Sequence, residues 1–382
     1  MSWNRTDPML ERCKLITAYD SGLYSVGELA DRYRVSRKTV SKWLERFQRE
    51  GATGLLERNR APKSSPTRTD PRLVEQILRL RCQHPTWGAR KLRVLLEREQ
   101  PGIVLPAPST IAAILAQHGL VEKRPPRRRP QPVSHRPQLE APAPNAVWCV
   151  DFKGEFRLGT GPYCYPLTLT DAYSRFVLGC YALPATAHAA TKRCIERLLR
   201  DYGLPLAIRS DNGTPFVSRS IGGISRLNVW WMKLGIIHQR IQPGHPEQNG
   251  RHERMHRTLK AETTRPPAES MRAQHERFQQ WRQQFNSERP HEALNYQTPA
   301  AVYHCSARTY PERLPTPAYA GHCQVRRVSS DGTFGFDARH LFLSTVLAGE
   351  AIALEEVDDG VWNILFFDHL LGKYDQRSKR IV

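Results

Sequence analysis

The chain has 382 residues, with 57 Lys or Arg against 37 Asp or Glu, so its formal charge is +20 and its isoelectric point is near 9.9. A surplus of that size attracts polyanions and makes their binding salt-dependent, while a 40% hydrophobic content and this length allow packed cores in roughly two to four domains. No apolar run approaches the ~20 residues of a membrane span, MSWNRTDPMLER lacks a signal-peptide core, and the eight Cys form no CxxC pair; neither a disulfide framework nor a zinc knuckle is indicated, and a cytoplasmic protein is expected.

In the first 60 residues, Ser25-Val26-Gly27-Glu28 reads as a capping box opening the short helix ELADRYR, and Ser36 caps RKTVSKWLERFQREG. Val40, Trp43, Leu44 and Phe47 recur at helical spacing and are expected inside, which turns Arg37, Lys38, Ser41 and Lys42 outward. This predicts a helix-turn-helix domain over 1–60 whose second helix enters the major groove; the plainer alternative is a small helical bundle with a solvated basic face.

A second unit is expected over 61–122. Leu73, Ile77, Leu78 and Leu80 give one apolar helix face, TWGARKLRVLLERE another, and Ser109 is expected to cap TIAAILAQHGL, an order that again reads as helix-turn-helix-like. KRPPRRRPQPVSHRPQLEAPAP, over 123–144, reads as an extended basic Pro-rich linker. Its Arg127, Arg128 and Arg129 suit a phosphate backbone or a minor groove, and equally suit a solvated charge run.

Three acids then stand out. Asp151 lies in VWCVDFKG, a β run whose apolar residues make a carboxylate costly unless its charge is compensated. Asp211 follows the strand LPLAIRS and precedes the turn pair Asn212-Gly213. Glu253 falls in the first turn of a helix that starts after Gly250, where the helix dipole tolerates negative charge. Three carboxylates from two strands and a helix suit a pair of hard divalent cations such as Mg²⁺; the bland reading makes each a turn or cap residue. Asp171, in LTLTDAYSRFVLG, reads as a hairpin-turn acid bonded to its own backbone, with Ser174 and Arg175 bracing the sheet or the site. Beyond Pro311, short β-like runs separated by Asp-Gly turns predict a small barrel over 311–382.

VWCVDFKG, DAYSRFVLG, IRSDNGTPF, HPEQNGRHERMHRTLK and FNSERPHEALNYQTPAAVY resemble the integrase catalytic core of bacterial insertion-sequence transposases. That is the DDE group, which shares its fold with retroviral integrases and ribonuclease H. The resemblance implies a ribonuclease H-like α/β core over 145–306, a mixed sheet flanked by helices, an SH3-like C-terminal barrel, and bipartite N-terminal readers of the element's terminal inverted repeats. It also implies Mg²⁺, with Mn²⁺ able to substitute, two ions per active site held by Asp151, Asp211 and Glu253. Arg257 and Lys260, four and seven residues after Glu253 and so on its helical face, match positions where the family contacts DNA ends. Unlike retroviral integrases, this chain shows no N-terminal zinc-binding pattern.

Two decoys lie close by. Counting the family's familiar spacing from Asp211 reaches Glu247, inside the loop GHPEQNG; Glu253, after 41 intervening residues, instead follows the QNG turn by three residues on the helix. The excess fits SRSIGGISRLNVWWMKLG. His252-Glu253-Arg254-Met255-His256 spells HExxH, which on a helix offers two zinc ligands and a base, as in metalloproteases. The surrounding Arg251, Arg254, Arg257 and Lys260 oppose a bound cation and suit DNA phosphates.

The sequence therefore predicts a nucleoid-associated DDE transposase that cuts insertion-sequence ends and joins them to target DNA without covalent attachment to protein, working as a homo-oligomer, most simply a two-fold dimer. A regulator that binds ends without cutting is the alternative. A Tyr or Ser recombinase would leave the acidic contexts without a purpose.

Overall fold

The computed structural model describes residues 7–58, 68–121, 141–218, 224–242 and 246–381, and the chain divides into two compact units, Met1–Arg68 and Thr69–Val382. Arg127, Arg128 and Arg129 of the expected linker lie outside the described residues.

The first unit holds α1 (Pro8–Asp20), α2 (Val26–Arg32) and α3 (Arg37–Glu50). The Ser25–Glu28 capping box forms reciprocally, and Ser36 Oγ accepts the Thr39 amide, so both helix starts are fixed by side chains that satisfy otherwise orphaned amides. Leu15, Ile16, Leu29, Val40, Leu44 and Leu55 form the core. Trp43 is only half-buried, because its ring carries the Arg12 guanidinium at 4.0 Å and that of Arg46 at 4.7 Å.

The second unit opens with three helices, α4 (Pro71–Gln83), α5 (Ala89–Glu99) and α6 (Pro108–Gln117). Leu73, Ile77 and Leu80 are buried as the periodicity demands, against Trp87, Leu92 and Leu96. The cap expected from Ser109 is not there: the cap position is Ala107, and Pro108, whose fixed φ suits a first helical residue, starts α6.

These helices dock on the layer that follows. That layer contains β1 (Val147–Phe152), β2 (Phe156–Arg157), β3 (Tyr163–Asp171), β4 (Val177–Leu183), α7 (His188–Tyr202), β5 (Ala207–Ser210), α8 (Arg226–Lys233), β6 (Ile237–Arg240), α9 (Gly250–Thr263), α10 (Met271–Ser287) and α11 (Pro299–Val302). β4, β3, β1, β5 and β6 lie side by side, with β2 extending the edge of β3. The β4–β3 and β3–β1 pairs are antiparallel, and the β1–β5 and β5–β6 pairs are parallel.

Alternation along β1 divides its side chains between the two faces. Trp148 and Val150 pack with Ile195 and Leu198 of α7 and Trp230 of α8, while the opposite face of the sheet meets Met255 and Leu259 of α9 and Phe278 and Trp281 of α10. Asp151 belongs to that second face. The docking of the first three helices runs through Glu262 of α9. Its carboxylate accepts from the Thr86 hydroxyl, from Trp281 Nε1 at 2.6 Å and from Arg289 Nη1 at 2.8 Å, and the Arg289 guanidinium lies 5.5 Å from the Trp87 ring.

The C-terminal part contains β7 (Gln324–Arg327), β8 (Thr333–Phe336), β9 (Arg339–Phe342), β10 (Ala351–Asp358), β11 (Val361–Phe366), β12 (His369–Asp375) and β13 (Arg380–Ile381). A five-stranded antiparallel sheet, β13-β12-β11-β10-β7, bends over the β8–β9 hairpin, with register shifts in β10–β11 and β11–β12. Among the described residues the ladder does not close. The hairpin pairs only with itself and β13 is two residues long, so the result is a half-barrel around Phe334, Ile352, Ile364 and Phe366. Val229 of α8 reaches into this core, and Lys233 pairs with Glu350.

Candidate active site

The β1–β3 register sets Asp151 opposite Thr168 and Cys149 opposite Thr170. All four face α9, so the helix meets a strip of small polar side chains instead of a greasy surface. His252 and His256, one turn apart on α9, are 1% and 2% exposed and fill that strip. Thr168 Oγ1 donates to the Asp151 carbonyl at 3.1 Å and lies 2.7 Å from His252 Nε2 and 2.6 Å from His256 Nε2. A hydroxyl has one proton. Since it goes to the carbonyl, both Nε2 atoms must donate, and His252 Nδ1 then accepts from the Thr170 hydroxyl at 2.7 Å. Burial favours these neutral imidazoles, pushing His252 down to about 3 and His256 well below its ordinary value.

This accounts for the HExxH letters. Asp151, His252 and His256 have ligand-type atoms within 4.8 Å of one another, but both Nε2 atoms and His252 Nδ1 are engaged by threonines, which removes the two-histidine zinc arrangement. Neither Thr168 nor Thr170 was among the residues singled out from sequence. Their only local signal is the alternation in LTLTD, and the strand register that aims them at α9 has none.

Asp211 follows β5 directly. Its Oδ1 accepts the Gly213 amide at 3.1 Å and Ser210 Oγ donates to its carbonyl at 2.8 Å, an Asp-initiated turn as expected. Because Cys149 pairs with Arg209 across parallel β1 and β5, Asp151 and Asp211 fall two residues farther along neighbouring strands, at the carboxyl ends where open α/β sheets form their crevices. Glu253 is exposed in the first turn of α9, behind the cap position Asn249. Glu247 lies before that helix, in the single 3₁₀ turn Pro246–Asn249.

Asp211 and Glu253 both act on the Asp151 carboxyl, but among the described residues the group that closes to mutual ligand distance around Asp151 is Asp151, His252 and His256. Burial pushes Asp151 up to about 7, the Asp211 carboxylate adds to this as a like charge, and Glu253 contributes in the same sense. Carboxylates that act on one another as like charges fit a hard divalent cation. Arg257 and Lys260 are exposed on the turns of α9 after Glu253 and form no ion pair among the described residues. In the separate first unit, Arg37, Lys38, Ser41 and Lys42 are all exposed on α3. Asp171 is structural: its carboxylate accepts the Asn145 amide at 2.8 Å and the Ser174 amide and hydroxyl at 2.8 and 2.6 Å.

Models of the integrase core domain match residues 141–246 and 234–299, a helix-turn-helix domain model matches 11–63, and a homeodomain-like domain model matches 39–115. The uncharacterized 31.7 kDa protein of insertion element IS407 from Burkholderia multivorans is 30% identical over 246 residues, 62% of this chain and 82% of that protein. The uncharacterized 39.2 kDa protein of insertion element IS476 from Xanthomonas euvesicatoria is 27% identical over 259 residues, 67% of this chain and 71% of that protein. Among solved structures, the HTLV-2 integrase catalytic core domain in complex with magnesium is 16% identical, covering 43% of this chain and all of that one, with a TM-score of 0.35. With an insertion-element relative matched over most of its length, and integrase core models spanning the strands and the helix that carry Asp151, Asp211 and Glu253, this chain belongs to the integrase-type transposases of bacterial insertion sequences, enzymes of the polynucleotidyl transferase kind.

Proposed function

We propose that the protein binds the ends of its insertion sequence and catalyses metal-dependent strand cleavage and strand transfer, with Asp151, Asp211 and Glu253 as the catalytic carboxylates. The observation that carries this is the register of parallel β1 and β5, which puts Asp151 and Asp211 at neighbouring carboxyl ends, with Asp211 and Glu253 acting on Asp151 as like charges. The carboxylates would hold two Mg²⁺ ions, Mn²⁺ being able to substitute, and such a pair when bound activates the attacking oxygen and stabilises the leaving one. The protein's own part is positional. β1 and β5 fix two of the acids, α9 carries the third, and Arg257 and Lys260 hold the phosphates of the element end. Hydrolysis there frees a 3′-OH, which then attacks target DNA in line; no protein atom is attached to DNA at any stage.

Arg37, Lys38, Ser41 and Lys42 enter a major groove of the terminal inverted repeat, and the second helical unit reads beside it. The division of labour is helix-turn-helix over 1–60, a second such unit over 61–122, a basic linker over 123–144, the catalytic core over 145–306, and an SH3-like module, here a half-barrel, over 311–382. Two ends must be joined together, so the working form is a homo-oligomer, most simply a two-fold dimer acting at the nucleoid.

The test is Mg²⁺-dependent nicking and strand transfer on a labelled duplex carrying the element's own end. Wild type and Glu247→Gln are expected to act while Asp151→Asn and Glu253→Gln do not. A dead Glu247→Gln beside an active Glu253→Gln would move the third acid. Binding of the end without cutting by wild type would favour a regulator.

A further inference from the structure

On the flank of α9 that carries Arg251, Arg254 and Arg257, a cleft of about 630 Å³ opens between the helix, Lys91 of α5 and the turn at His291. Arg175 enters it from the β3–β4 hairpin, with a left-handed φ of 65°. Arg175 Nη1 and Arg251 Nη1 both donate to a single acceptor, the Ala172 carbonyl, at 2.7 and 3.1 Å. Two guanidinium groups on one carbonyl are like charges held together by a partial charge. The neighbouring carboxylates are committed elsewhere: Asp171 to Asn145 and Ser174, Glu292 to Arg90, and Glu262 to Arg289. Among the described residues, Arg175, Arg251 and Arg254 have no carboxylate partner.

The electrostatics agree with the geometry. Burial first, then Arg251 and Arg254, push Arg175 down to about 10, and burial followed by Arg289 pushes Lys91 down to about 8. Cations that are partly desolvated and mutually repelling gain by taking an anion between them. Arg175 and Arg251 also wall an adjoining cavity of about 360 Å³ on the side of Tyr173 and Leu294. The open space therefore runs past the pair on both sides, which suits a chain of phosphates better than one small ion.

We propose that this cleft carries the DNA backbone past Arg257, with Arg175 and Arg251 seating a further phosphodiester of a strand running between α9 and α5. The inference rests on the reading of DNA as the substrate. Its consequence is coupling: Lys91 belongs to the helical unit that docks on the core through Glu262 and Arg289, so a strand in the cleft touches both the reading unit and the helix that carries Glu253.

The experiment measures binding of a labelled mixed-sequence duplex to the full chain, in EDTA, across a range of KCl. Arg251→Gln, at an exposed position, carries the test. Arg175→Asn, which tolerates the left-handed backbone, supports it, and Arg197→Gln, at an exposed position of α7, is the control of equal charge change. Each cleft variant should show a slope of log affinity against log salt shallower by about 0.9, the value for one lost contact, and Arg197→Gln no change. In a methylphosphonate scan of the duplex, at least one neutralised phosphate should weaken wild type and leave Arg251→Gln unaffected. Equal slopes in Arg251→Gln and Arg197→Gln overturn the proposal. Equal slopes with selective broadening of the ³¹P signal of inorganic phosphate by wild type also overturn it, and assign the cleft to a small anion. With EDTA present, a catalytically inert protein would still show the slope difference, so failure of nicking and failure of this site are told apart.

Discussion

His256 Nδ1 lies 3.7 Å from Asp151 Oδ2, and with His256 Nε2 committed to Thr168 as a donor, this Nδ1 presents a lone pair to a carboxyl oxygen. Two electron-rich atoms so placed are joined by a cation better than by each other.

A consequence for metal binding follows from that pair. His256→Leu should weaken divalent binding by about 10- to 100-fold, the usual range for a group that orients or supports a ligand. Thr168→Val, which unfixes the imidazole, should act in the same direction and leave two buried N–H donors unsatisfied, at a cost of about 1–3 kcal/mol each. Calorimetric titration of the metal-free protein with Mn²⁺ reads the first effect and thermal melting the second. Unchanged Mn²⁺ affinity in His256→Leu would reduce the imidazole to a packing residue.

His291 gives a pH dependence. Burial, reinforced by Lys91, Arg289 and Arg175, holds it down at about 3, whereas an unfolded His titrates near 6.5. The folded value is the depressed one, so the stability it contributes is present above about pH 6.5 and is lost as pH falls toward about 3. In His291→Leu, melting temperature should fall less steeply between about pH 6.5 and 4.5 than in wild type. Parallel curves would show that His291 is protonated without penalty in the folded protein.

The Arg289–Glu262 pair is nearly enclosed, with side chains 10% and 16% exposed. Arg289→Ala should destabilise the second unit by about 3–5 kcal/mol, because it leaves a buried carboxylate without its cation. Arg289→Met combined with Glu262→Gln should recover much of that loss. Denaturant melts distinguish the three proteins. If the single variant were no less stable than the double, the docking would not depend on this pair.

Gly332 follows Asp331 in the turn before β8 at φ 83°, and a Cβ there would meet the Thr345 amide nitrogen at 2.5 Å. Strain and backbone collision act together, so Gly332→Ala should destabilise the C-terminal half-barrel by roughly 2–4 kcal/mol. Hydrogen exchange should then rise in β8–β11 and leave β1 and β5 protected. Uniform loss of protection would show that the half-barrel and the core unfold as one.

What the sequence determined by itself was local. Ser25, Glu28 and Ser36 mark helix starts because a cap bonds a backbone amide two or three residues away. Leu73, Ile77 and Leu80 mark a face because helical spacing is fixed by the backbone. Asp151 after a β run, Asp211 before Asn-Gly and Glu253 after the QNG turn could each be placed on its element for the same reason. Where local rules compete they fail, as at Ser109, displaced from the cap by Pro108 at the first helical position. Tertiary structure alone decided that Thr168 stands opposite Asp151 and ties both imidazoles of a sequence that spells a zinc motif. It also decided that Arg175 and Arg251, 76 positions apart, share the Ala172 carbonyl, that Trp87 meets Arg289, and that the last sheet stops short of closing. Each of these depends on strand register or on packing between distant segments, which a one-residue shift would reverse and which no periodicity within either segment records.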